Sequence, residues 1–305
     1  MEHPPCLFGE VLFDVFPDGR EVLGGAPFNV AWHLQGFGLK PLLISRVGAD
    51  AAGDQIRQSM AAWGMRLDGL QIDPIRPTGR VIVSFIKGEP SFDIVPGSAW
   101  DFIAARGLPA VEPGIFYHGS LAARAPVAAA TLKRLVKQFR NPGEGWMKAN
   151  AAAKRFVDVN LRDPWWRAEE VGRLLAGADW AKLNQEELAR LSDGKGGRAL
   201  EDQAEAFRAR QGLDGLLVTL GATGALGLNA DGEAVRVRPE PVAMVDAVGA
   251  GDAFAAVAIL GLYRDWPLAT TLERAQGFAS RIVQTRGATI QDPALYRSLR
   301  EQWGL

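Results

Sequence analysis

The sequence predicts an α/β fold built on a central, mostly parallel sheet flanked by helices. Three observations lead there. Apolar bursts of strand length alternate with stretches of helical period over the first two thirds of the chain, the pattern of a parallel sheet covered on both faces. The last third, from Ala250 onward, reads as successive helices. One region, Thr78–Phe102, breaks the rhythm with β-type alternation and no helix between its strands.

In chain order, "CLFGEVLFDVF" reads as a first strand. Gly24-Gly25 then leads into a helix, "APFNVAWHLQGFG", with Val30, Leu34 and Phe37 on one face. "PLLISRVG" is a strand, and "DAAGDQIRQSMAAWG" is a helix closed by Gly64. "TGRVIVSFIKGEPSFDIVPGSAWDF" is a hairpin around a Gly-Glu-Pro turn. Its pattern fits an inserted β subdomain and an antiparallel edge of the main sheet equally well. The strands "GIFYHGSL", "RFVDVNL", "ADWAKLN" and "GLLVTLG" alternate with helical stretches at Val127–Phe139, Trp166–Leu175, Glu186–Leu191 and Leu200–Gln211. Arg140–Arg155 reads as a surface loop with a short helical excursion, and the closing helices are Ala253–Tyr263, Leu268–Gln284 and Pro293–Trp303.

Composition narrows the function. With 305 residues, a formal net charge of -1, 48% hydrophobic and 23% charged residues, this is an ordinary globular chain, and no nucleic-acid or anionic-membrane partner is expected. The single cysteine, Cys6, allows neither an intrachain disulfide nor a cysteine metal cluster and suits a reducing cytoplasm. "MEHPPCLFGE" lacks the pattern of a signal peptide, and no apolar run approaches a membrane span. The nine tryptophans are expected chiefly in the core or at interfaces, with an aromatic wall for a ligand as the lesser alternative.

The chemistry concentrates in "VDAVGAGDAFAAVAILGL", where a Gly-Ala-Gly turn runs into an apolar helix with Asp252 between them. No Walker string Gly-x4-Gly-Lys-Ser/Thr occurs, and the Rossmann register beginning at Gly249 finds Phe254 where a third glycine belongs. The remaining design is an anion hole. The N–H groups of Gly249, Ala250 and Gly251 converge at the helix mouth, and Asp252 acts as general base for a hydroxyl attacking phosphorus. Its place in the first helical turn predicts a lowered pKa. A plain helix cap is the competing reading. In "KLNQEEL", Asn184 and Glu187 have the spacing of a capping box. Arg162, in "DVNLRDPWW", follows a strand and suits charge stabilisation beside phosphate.

"GGAPFNVAWHLQGFG" and "DAVGAGDAF", in that order, resemble the two signatures of the ribokinase-like (PfkB) carbohydrate kinases over nearly the whole chain. The resemblance implies one kinase domain over residues 1–305, with a small β-sheet lid from about 11–22 and 77–113 inserted in the α/β core. It also implies ATP-dependent phosphorylation of a sugar hydroxyl. It places Asp252 as the base and Gly249, Ala250 and Gly251 as the anion hole. Asn29 and Asp14 fall on sugar-hydroxyl ligands, and Gly24 and Gly25 on the hinge of the lid. Lys182, Asn184, Thr219, Gly221 and Gly224 fall around the nucleotide. Asn184 and Glu187 stand near Mg²⁺, through water, as suits an ion that retains much of its hydration.

The late signature here has Asp246-Ala247 where the family usually has Asp-Thr. The lost hydroxyl bears on phosphate and monovalent-cation contacts. The resemblance implies a K⁺ site beside the anion hole, between this loop and a segment like "QTRGAT", where backbone carbonyls could coordinate and Asp246 is a candidate contact. "GGAPFNVA", "VDVNLRDPWW" and "ADWAKLNQEEL" look most like fructokinases, with Phe92–Val95 and Trp100 as a wall against the sugar. A kinase of phosphorylated sugars would want a Lys/Arg cluster facing the acceptor; Arg80 and Lys87 are candidates, but the sequence shows no such cluster. Kinases of 2-keto-3-deoxy sugar acids, ribose or nucleosides share the framework. A non-catalytic sugar-binding regulator and a homodimer through the lid are also compatible with it.

Overall fold

The computed structural model describes residues 3–86, 89–140, 152–192 and 199–305, with only backbone described for the strand residues among 85–91. The strands are β1 (Cys6–Phe8), β2 (Leu12–Val15), β3 (Glu21–Gly24), β4 (Leu42–Gly48), β5 (Leu70–Asp73), β6 (Gly79–Ile86), β7 (Glu89–Ile94), β8 (Ile115–Gly119), β9 (Lys154–Asp158), β10 (Trp180–Asn184), β11 (Gly215–Thr219), β12 (Ala225–Asn229) and β13 (Ala234–Val237). The helices are α1 (Ala26–Gly36), α2 (Ala51–Ala62), α3 (Pro126–Arg140), α4 (Ala168–Leu175), α5 (Gln185–Leu191), α6 (Leu200–Gln211), α7 (Ala250–Tyr263), α8 (Leu268–Ile282) and α9 (Pro293–Trp303).

Nine strands form the main sheet in the order β13-β12-β11-β10-β9-β8-β1-β4-β5. The run from β11 to β5 is parallel throughout, and only β12 and β13 are antiparallel. Both faces are covered, so strands such as β8 are buried along their whole length, as a two-sided parallel sheet demands. Four further strands make a small separate sheet, β3-β2-β6-β7. β2 and β6 run parallel there, and each pairs antiparallel with its hairpin partner. The 78–102 hairpin is therefore part of a second sheet. Its Gly-Glu-Pro turn and most of the 140–155 loop fall at or within segments outside the described residues.

One expectation fails at the start. "CLFGEVLFDVF" is two strands, not one: β1 joins the main sheet and β2 the small one. The break is at Gly9, whose φ of 150° and tight approach to Pro27, 2.5 Å from where a Cβ would sit, leave no room for a side chain. Strand β5 and the terminal hairpin strand β13 are also additions to the sequence reading.

Helix α7 is apolar all round and buried from Ala253 to Gly261, as such a helix must be. It packs between α1 and α8. Side chains such as Phe254, Ile259 and Leu260 each contribute roughly 1.5–3 kcal/mol by leaving water. The first turn of α7 is thus mounted on a helix buried in the core. No helix among the described residues is long and apolar enough to cross a membrane.

Candidate active site

A cleft of about 410 Å³ opens where the carboxyl ends of the central strands meet the N-termini of α1 and α7 beneath the small sheet. Ligands of open α/β sheets bind at this end. Register sets the floor: Lys182 of β10 lies beside Asp158 of β9, and Asn184 beside Thr219 of β11.

The α7 side is the densest. Gly249 takes a left-handed φ of 82° as N-cap, and a Cβ there would lie 2.4 Å from Ala288. This turn hands the chain into the helix. Among the described residues the N–H groups of Gly251 and Asp252 have no protein acceptor, which leaves first-turn donors for an anion. Asn29 Nδ2 donates to Asp252 Oδ2 at 2.7 Å, joining the first turns of α1 and α7 across 223 residues of sequence. Asn29 Oδ1 is buried without a partner.

The acid–base state of Asp252 reverses the sequence expectation. Burial raises its pKa to about 6 against the lowering by the Asn29 hydrogen bond. The Asp158 charge adds to the rise, and Lys182 and Arg162 oppose it. The helix terminus is a local effect; loss of water around the carboxylate outweighs it. Lys182 donates to both Asp158 oxygens, at 2.8 and 2.9 Å, and a Cβ at Gly251 would be 3.5 Å from its Nζ. Burial alone would lower the Lys182 pKa, but the Asp158 carboxylate holds it above the ordinary value. Tyr117 donates its hydroxyl to Asp158 at 3.2 Å. A buried cation therefore sits directly under the anion-facing turn.

On the opposite side Asp14, Gly25 and exposed Arg162 line the cleft. Burial raises the Asp14 pKa to about 6, with Arg162 pulling against it. Gly24 does not line the cleft but leaves space for Asp14, whose Oδ2 is 3.2 Å from where its Cβ would be. Gly25, with φ 107° and the Glu10 carbonyl 2.7 Å from a would-be Cβ, admits only glycine. Phe92 and Ile94 face the cleft from β7. Trp100 does not: it is fully buried, in face contact with the Arg124 guanidinium at 4.1 Å. Among the described residues no tryptophan lines the cleft. Arg80 pairs with Glu21, and Lys87 is outside the described residues.

Asn184, Glu187, Thr219 and Gly221 line the remaining end. The capping box is complete: Asn184 Oδ1 accepts from Glu187 N, and Glu187 Oε2 from Asn184 N, both at 2.8 Å. Glu187 Oε1 also accepts from Leu161 N at 2.7 Å. Both carboxylate oxygens thus serve the backbone, while Asn184 stays exposed. No group of three or more His, Cys, Asp or Glu that could hold a metal occurs among the described residues. This donor set fits only an ion carried largely by phosphate oxygens and water.

Gly224 and Asp246 are not brought to the cleft. At Gly224 the close backbone neighbour is the Val237 carbonyl of β13, 1.9 Å from a would-be Cβ. Asp246 accepts from Val248 N and Gly287 N, at 3.0 and 3.1 Å, and so ties the entry loop of α7 to the chain after α8. Ala250 does not line the cleft, and its N–H donates to the Ala247 carbonyl at 3.4 Å, so it is not one of the open donors of the turn.

Glu10, Asp158 and Asn160 were missed. Glu10 lies between β1 and β2, 4% exposed, lines the cleft and has Oε2 without a partner. Burial pushes its pKa up to about 7. An acid inside "FGEVLFDVF" was a usable signal. A carboxyl whose folded pKa exceeds its unfolded value of 4.5 stabilises the fold below that value, and this contribution is lost as pH rises through about 7. Glu10→Gln should therefore raise the melting temperature relative to the parent at pH 8 by more than at pH 5. The shift is worth on the order of 3 kcal/mol. Equal gaps at both pH values in thermal scans would contradict it.

Comparison with known proteins follows the same lines. The family "pfkB family carbohydrate kinase" matches residues 16–295. A fructokinase from Klebsiella pneumoniae is 31% identical over 268 residues, 84% of this chain and 83% of its own. An aminoimidazole riboside kinase from Salmonella typhimurium is 28% identical, covering 92% of this chain and 89% of its own. The crystal structure of a fructokinase double mutant from Vibrio cholerae, bound to fructose, ADP and potassium ion, is 25% identical. It superposes with a TM-score of 0.81 over 97% of this chain and 98% of that one.

Proposed function

The chain belongs to the pfkB family of carbohydrate kinases, phosphotransferases with an alcohol group as acceptor, and from that premise we propose that it moves the γ-phosphoryl group of ATP to the 6-hydroxyl of D-fructose. The observation that carries this reading is the convergence of Asp252, Asn29 and the open N–H groups of α7 in one cleft. Ionised Asp252 accepts a hydrogen bond from the sugar hydroxyl. As that oxygen bonds to the γ-phosphorus, the bond to the bridging oxygen of ADP breaks and the proton passes to Asp252. Such transfers have a loose transition state, so aim and charge matter more than base strength.

The remaining residues take roles by position. The first turn of α7 holds phosphoryl oxygens, with the Lys182 charge beneath and Arg162 at the side. Asp14 and Asn29 bind sugar hydroxyls, for which short acids and amides are suited. Thr219 and Gly221 border the nucleotide. Mg²⁺, when bound, would neutralise phosphate charge, and Asn184 and Glu187, beyond their capping bonds, would hold it through water. The small sheet closes over the sugar as a lid, within a single kinase domain, and offers a face for a homodimer.

The test is ADP release with Mg-ATP over D-fructose, ribose, 2-keto-3-deoxygluconate and aminoimidazole riboside, followed by phosphorus NMR of the product. D-Fructose should give the highest kcat/KM, with phosphate on carbon 6. Turnover with another acceptor alone would move the assignment to that acceptor. No ADP release with any of them would overturn it.

A further inference from the structure

A second cavity, of about 430 Å³, lies between α3 and α4. Four cationic side chains line it, Arg124, Lys133, Arg155 and Arg173, against one acid, Glu170. Two of the cations are buried in its wall. Arg155, 4% exposed, donates Nε to His118 Nε2 at 3.1 Å, Nη1 to the Ala176 carbonyl at 2.9 Å and Nη2 to the Leu174 carbonyl. His118 is neutral there, its pKa lowered to about 3 by burial and by the Arg155 charge. Among the described residues no carboxylate forms an ion pair with the Arg155 guanidinium; burial and the Arg140 charge lower its pKa only to about 10, with Asp179 opposing, so at neutral pH the charge is present.

Arg124 is held by Asp101, at 2.8 and 3.0 Å, and flanked by the rings of Trp100 and Trp165. Its Nη1 is buried with no acceptor. A buried charged donor without a partner is a loss that a ligand anion can recover. Lys133 and Arg173 stand exposed at the rim. Trp165, Trp166 and the facing surfaces of α3 and α4 make the rest of the lining largely apolar. Charge and surface together ask for a ligand with two parts.

We propose that this cavity is a second ligand site, separate from the catalytic cleft, for a small molecule that joins an anionic group to a flat apolar ring system. Two stretches of chain are shared between the cavities. Ser120 lines this one and Leu121 the cleft; Trp165 and Trp166 line this one while Asn160 and Arg162 line the cleft. A ligand here bears on the loop that carries Arg162 without touching the nucleotide.

Calorimetry with saturating Mg-ADP in the catalytic cleft tests the site, using 1-naphthyl phosphate, 1-naphthoate, 1-naphthol and inorganic phosphate as probes. At least one aromatic anion should bind one-to-one, roughly tenfold or more tighter than naphthol or phosphate alone. Naphthyl phosphate against naphthoate then distinguishes a phosphate from a carboxylate head group. The double variant Lys133→Glu/Arg173→Glu should weaken that binding by roughly tenfold or more. Ala129→Trp, which fills the cavity, should abolish it, and both variants should keep basal turnover. Affinity no better than that of naphthol, undiminished binding in folded variants, or displacement by Mg-ADP would each overturn the proposal.

Discussion

Replacing Asp252 with Asn should lower kcat by about 10²–10⁴-fold, the usual contribution of a positioned base, with little change in KM for either substrate. The fold should survive. Asn29 Nδ2 donates to Asp252 Oδ2, and an asparagine oxygen can accept the same bond. The variant should be no less stable than the parent at pH 8, because the raised carboxyl pKa of about 6 means that its ionised form is already disfavoured by burial. The pH profile supplies the second readout. Only ionised Asp252 accepts the hydroxyl hydrogen bond, so the parent should lose turnover as pH falls through about 6, and the residual activity of the variant should lack that limb. A variant within a few-fold of the parent kcat, with the limb intact, would remove Asp252 from the mechanism.

The second large effect concerns the buried pair beneath the turn. Lys182→Met leaves Asp158, 0% exposed, without its cation. Removing one partner of such a pair costs about 3–5 kcal/mol, a fall in melting temperature of roughly 5–15 °C for a chain of this size. It also takes away a charge that lowers the Asp252 pKa, so the acid limb of turnover should move above pH 6. Lys182→Met/Asp158→Leu should recover much of the stability, since no unpaired charge remains. If Lys182 acts only in folding, the double variant regains activity. If its charge serves the phosphoryl site, stability returns and turnover does not.

Particular residues show what could be read before the structure. Asp252 stood out because its glycine turn and its apolar helix are adjacent in sequence, and the strand–helix alternation is likewise local. The pair Lys182–Asp158 spans 24 residues, and only the register of β10 on β9 joins it. The sign of the Asp252 shift failed for a related reason. A helix terminus can be read locally, whereas the protein packed around the carboxylate comes from distant segments. "CLFGEVLFDVF" concealed two strands because only Gly9, Glu10 and Val11 separate the apolar residues of β1 from those of β2. Trp100 is near the small sheet in sequence, but its ring turns into the core under Arg124.

The split at Gly9 bears on how this protein could be recombined with its relatives. The small sheet is assembled from two stretches, 12–24 and 79–94, with β4 and β5 of the main sheet between them. Its middle seam is the parallel pairing of β2 with β6. No single crossover can transplant it. A chimera that imports only the hairpin inherits half a seam, and one that imports both stretches must also keep the bends at Gly9 and Gly25, which are cut to fit Pro27 and the Glu10 carbonyl.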